Sequence, residues 1–144
     1  MKIVDVNLLI YAVNRDSPLH TKAKAWLEKS LVEVEPLGFC WVVILAFLRL
    51  TTKPGLFQKP LTPERAFNLV EEWLDQPAAR IVQPGHRHLT ILREILTQLG
   101  TAGNLTSDAH LAALAIEQNA QLSSCDNDFA RFAGLRWKNP LLGR

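Results

Sequence analysis

Cysteine is scarce in this 144-residue chain: only Cys40 and Cys125 occur, far apart, and neither stands in a CxxC or Cys/His pair. That spacing excludes a disulfide scaffold and a zinc site, and both thiols read as small buried hydrophobes. An excess of one charge is lacking too. Sixteen Lys+Arg face 14 Asp+Glu for a formal net charge of +2, so binding by bulk positive charge is excluded and any basic patch must be local. The longest stretch of the first half without a charge, Leu37 to Leu48, falls short of the ~18 to 20 residues of a membrane span and reads as a buried element. Asp5 interrupts the segment where a secretory signal needs its apolar run, so a cytoplasmic location away from membranes is expected. What remains is apolar material enough for one core, 48% hydrophobic against 21% charged, and residues 1–144 are expected to form a single domain.

Along the chain, short β-branched runs alternate with helical periodicities. Lys2-Ile3-Val4 reads as a first strand, followed by a short helix through Leu8, Leu9, Ala12 and Val13 that starts just past Asp5. Ser17-Pro18 supplies an N-cap and a first-turn proline for a second helix. Pro36 and Gly38 break the pattern, and Trp41 to Leu50 predicts a buried third helix with Val42, Leu45, Ala46 and Arg49 on one stripe. A fourth helix begins at Thr62-Pro63, Ala79–Val82 is strand-like, and His88–Leu99 is an amphipathic helix stopped by Gly100. Thr106–Gln118 is helical, Ala120–Cys125 forms a strand and Asp126–Phe132 a single turn, and the chain closes with Leu135-Arg136-Trp137 before Asn139-Pro140. Strands alternating with helices imply an α/β fold, a mostly parallel sheet covered on both faces.

In such a sheet ligands bind beyond the carboxyl ends of the strands. Asp5 and Asp126 end strands there, and Asp108 lies in the first turn of the helix leading into the later strand. Singly, each acid is explained by the preference of Asp for caps and first helical turns. Gathered at one sheet end, they repel one another unless a cation reconciles them, and hard oxygen ligands suit Mg²⁺ or Mn²⁺. Other motifs are weaker. His86-Arg87-His88 reads as an exposed polar turn, and His20 and His110 as solitary. Gly100 and Gly103 form no phosphate loop, and Ser17, Ser123 and Ser124 lack a nucleophile elbow. Arg15, Arg49, Lys53 and Lys59 are solvated surface unless they border the acidic corner, where they would hold a phosphodiester backbone without reading sequence.

Asp5-Val6-Asn7-Leu8-Leu9-Ile10-Tyr11, Asp108-Ala109-His110-Leu111-Ala112-Ala113-Leu114 and Ser124-Cys125-Asp126-Asn127-Asp128-Phe129, in that order and spacing, resemble the signatures of PIN domains. The segments Trp41 to Thr52 and Leu135 to Pro140 resemble the VapC toxins of that family. The resemblance spans essentially the whole chain. It implies a three-layer α/β/α fold around a parallel sheet of four to five strands, and a metal-dependent ribonuclease held inactive by a VapB-type antitoxin. It implies further that Asp5, Asp108 and Asp126 are the catalytic, metal-holding acids for Mg²⁺ or Mn²⁺, with Asp128 an auxiliary acid, and that the chain pairs as a homodimer. Ala46 departs from the family's pattern, standing where many PIN domains carry Glu, and leaves the site one charge short. Asn7 is placed by its spacing to lend a neutral oxygen or to orient a water. Arg15, Arg49 and Lys53 are the candidate RNA-phosphate contacts.

A haloacid-dehalogenase-like phosphatase also starts with a strand and Asp-x-Asp, but Asn7 stands where that chemistry needs a proton donor. A receiver domain wants an acid pair after the first strand, and Val6 does not supply it. The serious alternative is a degenerate PIN domain that binds RNA or an antitoxin and cuts nothing, kept open by Ala46.

Overall fold

A computed structural model describes residues 1–142. Five parallel strands lie in the order β3-β2-β1-β4-β5: β1 Lys2–Val4, β2 Leu37–Cys40, β3 Ala79–Val82, β4 Gln121–Ser123 and β5 Arg136–Lys138. Six helices connect them: α1 Val6–Val13, α2 His20–Val32, α3 Trp41–Thr52, α4 Pro63–Leu74, α5 His88–Leu99 and α6 Thr106–Glu117. Helix α1 packs on α2 and α3, α3 on α4, and α5 on α6, so helices flank the sheet in the expected α/β/α layering. Parallel neighbours require such crossovers, and a sheet covered by helices is built of strands buried along most of their length. Ile3, Val4, Leu37, Phe39, Cys40 and Leu122 are all buried accordingly.

The chain leaves β1 toward β2 and β3 on one side and returns to β4 and β5 on the other, so the sheet changes direction between β1 and β4. Binding crevices of open α/β sheets form at such a point. Asp5 follows β1 there, and its N–H donates to the carbonyl of Ser123 at the end of β4 (3.0 Å).

Four expectations need correction. The pair Pro36 and Gly38, taken as a break, flanks and enters β2, buried between β1 and β3. A Cβ on Gly38 would stand 2.6 Å from Val82 Cγ2 and 3.1 Å from Ile3 Cγ1, so glycine is required by the close approach of both neighbouring strands. The stripe Val42, Leu45, Ala46, Arg49 is not the buried face of α3. Val43, Ile44, Phe47 and Thr51 turn inward, and Phe47 meets Trp73 of α4 edge-on with ring centroids 5.0 Å apart. Ser17 does not cap α2, which starts at His20; the Ser17 hydroxyl instead accepts from Leu19 N–H (3.1 Å) in the preceding turn. Cys125, expected to be buried, is half-buried, its thiol 3.6 Å from Asn139 Oδ1.

Candidate active site

Each acid of the corner is positioned by ordinary local chemistry. Asp5 is the N-cap of α1: Oδ1 accepts from Val6 N–H at 2.7 Å, which satisfies one of the donors that open a helix. Asp126 caps the 3₁₀ turn Asn127–Arg131 by accepting from Asp128 N–H at 2.9 Å. Asp108 lies in the first turn of α6, where the helix dipole favours an anion.

The residue that joins the strand ends is Ser124. Its buried hydroxyl donates to Asp5 Oδ2 at 2.6 Å, and accepts from Asn7 Nδ2 at 3.1 Å and from Asp126 N–H at 3.0 Å. Asn7 Nδ2 lies 3.3 Å from Asp5 Oδ2 as well, while its oxygen accepts from Cys125 N–H at 3.2 Å. The amide of Asn7 thus braces Asp5 against the loop after β4. Sequence reasoning considered Ser124 only as a nucleophile and passed over this role. The signal available was a hydroxyl two residues before an acid at a strand end, the spacing at which a side chain reaches the following backbone N–H.

Burial raises the pKa of Asp5, and the nearby charge of Asp126 adds to the rise; the hydrogen bonds from Ser124, Val6 and Asn7 pull the other way. Asp108 is raised to about 6, first by burial and then by the charges of Asp126, Asp5 and Asp128. Those repulsions add to the effect of burial and place the four acids within one electrostatic field. Asp128 sits at the exposed rim, 3.8 Å from Arg131. Cys40 and Cys125 are pushed up to about 12 and about 11 by burial and by Asp5, so both thiols stay protonated near neutrality.

The raised Asp108 has a consequence for stability. The folded state holds this proton more tightly than the unfolded chain, so stability falls as pH rises from the ordinary 3.8 to about 6, and the deficit persists above. Asp108→Asn is therefore expected to stabilise the metal-free protein at pH 7 by about 1 kcal/mol, reduced from the full value by solvent screening at this half-buried site. The gain should shrink toward pH 4. Thermal melts in chelator at both pH values check this, and an equal gain at both would refute it.

Asp5 and Asp108 line a small cavity of ≈90 Å³ with Val42, Val43, Ala46 and Ser107. Among the described residues no three His, Cys, Asp or Glu side chains close into a ready-made metal cage. The donor set nevertheless fits a hard divalent cation: carboxylate oxygens only, mutually repelling, one of them buried without a cationic partner. Mg²⁺ bound by few carboxylates keeps several waters, and an open set of this kind suits it better than it suits zinc.

Of the candidate phosphate contacts, only Arg49 lines a groove beside this cavity. Arg15 follows the far end of α1, about 12 Å along the helix from Asp5 at 1.5 Å per residue, and is not brought to the corner. Lys53 is the C-cap of α3 and exposed. The histidines differ from expectation. His88 and His110 are neither exposed nor solitary but face each other, Nε2 to Nδ1 at 2.8 Å, and so tie α5 to α6, while His20 Nδ1 lies 3.0 Å from the carbonyl of Tyr11.

A PIN domain family model matches residues 2–135. Ribonuclease VapC37 of Mycobacterium tuberculosis is 51% identical over 140 residues, covering 97% of both chains. Among solved structures, VapBC-1 from nontypeable Haemophilus influenzae superposes with a TM-score of 0.70 at 17% identity, covering 96% of this chain and 97% of that one. VapBC2 from Rickettsia felis, bound to a DNA fragment of its promoter, gives 0.69 at 19% identity with the same coverage.

Proposed function

The chain belongs to the VapC ribonucleases of the PIN domain family, and from that premise we propose that residues 1–144 form one PIN domain that hydrolyses RNA phosphodiesters with Mg²⁺ or Mn²⁺. The observation that carries the proposal is that Asp5 and Asp108 line one small cavity at the switch point of the sheet, with Ser124 linking Asp5 to the backbone of Asp126.

Asp5, Asp108 and Asp126 would hold the cation. When bound, it supplies Lewis acidity at the phosphoryl group and lowers the pKa of a water. Around it the chain's own residues act as a frame. Val6 N–H and the Ser124 hydroxyl leave Asp5 little freedom to turn, Asn7 braces the same carboxylate, and Ser124 orients the backbone that presents Asp126. Asp128 tunes Asp108 by its charge. Ala46 withholds the side chain that elsewhere supplies one more carboxylate. Metal affinity in the free protein is accordingly weak, and RNA phosphate oxygens complete the ligand set.

A VapB-type antitoxin as inhibitor and a second copy as partner belong to the same reading. Two of the matching structures are VapBC assemblies, which supports the first. Among the described residues no helix is long and apolar enough to cross a membrane.

The test is incubation of purified chain with a pool of structured RNAs in Mg²⁺, in Mn²⁺ and in chelator. Cleavage in either metal and none in chelator is the expected result. Retention of RNA without cleavage in any metal would establish the degenerate, binding-only alternative instead.

A further inference from the structure

The small cavity at the carboxylates does not end there. A second one of ≈470 Å³, lined by Val42, Leu45, Ala46, Arg49 and Ser107, adjoins it, and the two share Val42, Ala46 and Ser107. Their sizes admit different occupants. Ninety cubic ångströms holds an ion and a few waters at ~30 Å³ each, whereas ~300 to 1,000 Å³ is the range of organic ligand sites. On α3 both are bordered by Val42 and Ala46, and Ala46 is the smaller of the two.

The lining of the larger groove is equally particular. Leu45 is 59% exposed, and Trp41, one helical turn before it on the same face, is 50% exposed. Arg49 continues that stripe one turn on, and among the described residues it makes no ion pair. An apolar strip ending in a free guanidinium, beside a cluster of carboxylates, matches a ligand with an apolar face and an anionic group set near a metal.

We propose that this groove seats the nucleotide flanking the scissile phosphate, with Arg49 on the adjacent phosphate and Val42 and Leu45 against the nucleoside. Ala46 is the opening that joins that seat to the carboxylates. The inference rests on the nuclease reading and deepens it: the position that leaves the site one carboxylate short is also what makes room for substrate. A longer side chain at 46 would narrow the passage between the groove and the carboxylates. The charges favour RNA as occupant, since the guanidinium takes one phosphate oxygen and a cation held by the neighbouring carboxylates would take another.

Steady-state cleavage in Mg²⁺ by the full chain tests this with Ala46→Leu, Arg49→Gln and Leu45→Gln, and with Arg93→Gln on α5 as control. The first three are expected to raise KM about tenfold, with a smaller change in kcat. The Mg²⁺-induced shift in melting temperature should be unchanged in Arg49→Gln and Leu45→Gln, whose side chains line the groove and not the carboxylate cavity. Arg49→Gln should in addition reduce the salt dependence of log KM by about 0.7, the loss of one phosphate contact to a single strand. Arg93→Gln should do none of this. Leu45 is exposed, so its variant keeps the test intact if Ala46→Leu fails to fold.

Should wild type cleave and all three variants keep its KM and salt slope, the seat is refuted while the nuclease reading stands. The same holds if the variants keep KM but lose binding of an antitoxin peptide, which would make the groove a protein-docking surface. If wild type neither cleaves nor binds RNA, the nuclease reading itself fails and the seat with it.

Discussion

Asp5→Asn is expected to lower metal-dependent RNA cleavage by about 10³-fold, while the melting temperature moves only a few degrees. The activity loss follows from the role of the carboxylate: it would hold a cation at a site already one acid short, and a single well-placed electrostatic group contributes ~10² to 10³ or more. The small effect on stability follows from two opposed terms. Asp5 accepts from both Val6 N–H (2.7 Å) and Ser124 O–H (2.6 Å), and an amide offers one oxygen, so one donor loses its partner at a cost of ~1 to 3 kcal/mol. Against this, the substitution removes a buried negative charge whose pKa burial has raised. Cleavage assays beside thermal melts measure both. Wild-type cleavage rates from a well-folded Asp5→Asn protein would remove Asp5 from the site.

Phe47→Ala should destabilise the protein by about 3 to 5 kcal/mol in urea titrations. Phe47 is fully buried and packs edge-on against Trp73, which in turn stacks on Phe39 of β2 with centroids 6.4 Å apart. This aromatic column joins α3 and α4 to the sheet. Truncation would leave a cavity where neighbours cannot fully collapse, and the cost is a large share of the ~5 to 15 kcal/mol that holds a domain folded. Leu45→Ala, two residues away on the solvent side of the same helix, should change stability by no more than ~0.5 kcal/mol. Equal costs at the two positions would overturn the assignment of inner and outer faces of α3.

Those two faces mark where sequence reading stopped short. In a helix as apolar as Trp41 to Leu50, every stripe is a candidate interior, because periodicity needs contrast and this segment has almost none. The stripe holding Arg49 was the outer one, and its leucine and tryptophan are exposed. β2 was concealed for a related reason: four residues around a glycine carry too few side chains to show an alternation, and only the approach of Ile3 and Val82 explains the missing Cβ. His88 and His110 lie 22 residues apart, and nothing local announces that α5 and α6 bring their rings together.

By itself the sequence determined the alternation of strands and helices, the α/β class and the family, and it put three acids at strand ends and a helix start. These are local properties, set by β-branched runs, caps and short motifs read in order. Tertiary structure decided what those acids share. The hydroxyl of Ser124 reaches Asp5 across 119 positions of chain, the order of the strands sets β1 beside β4, and Val42, Ala46 and Ser107 border both the carboxylate cavity and the groove that holds Arg49. Such relations depend on distances between segments, and a linear pattern carries distances only along the chain.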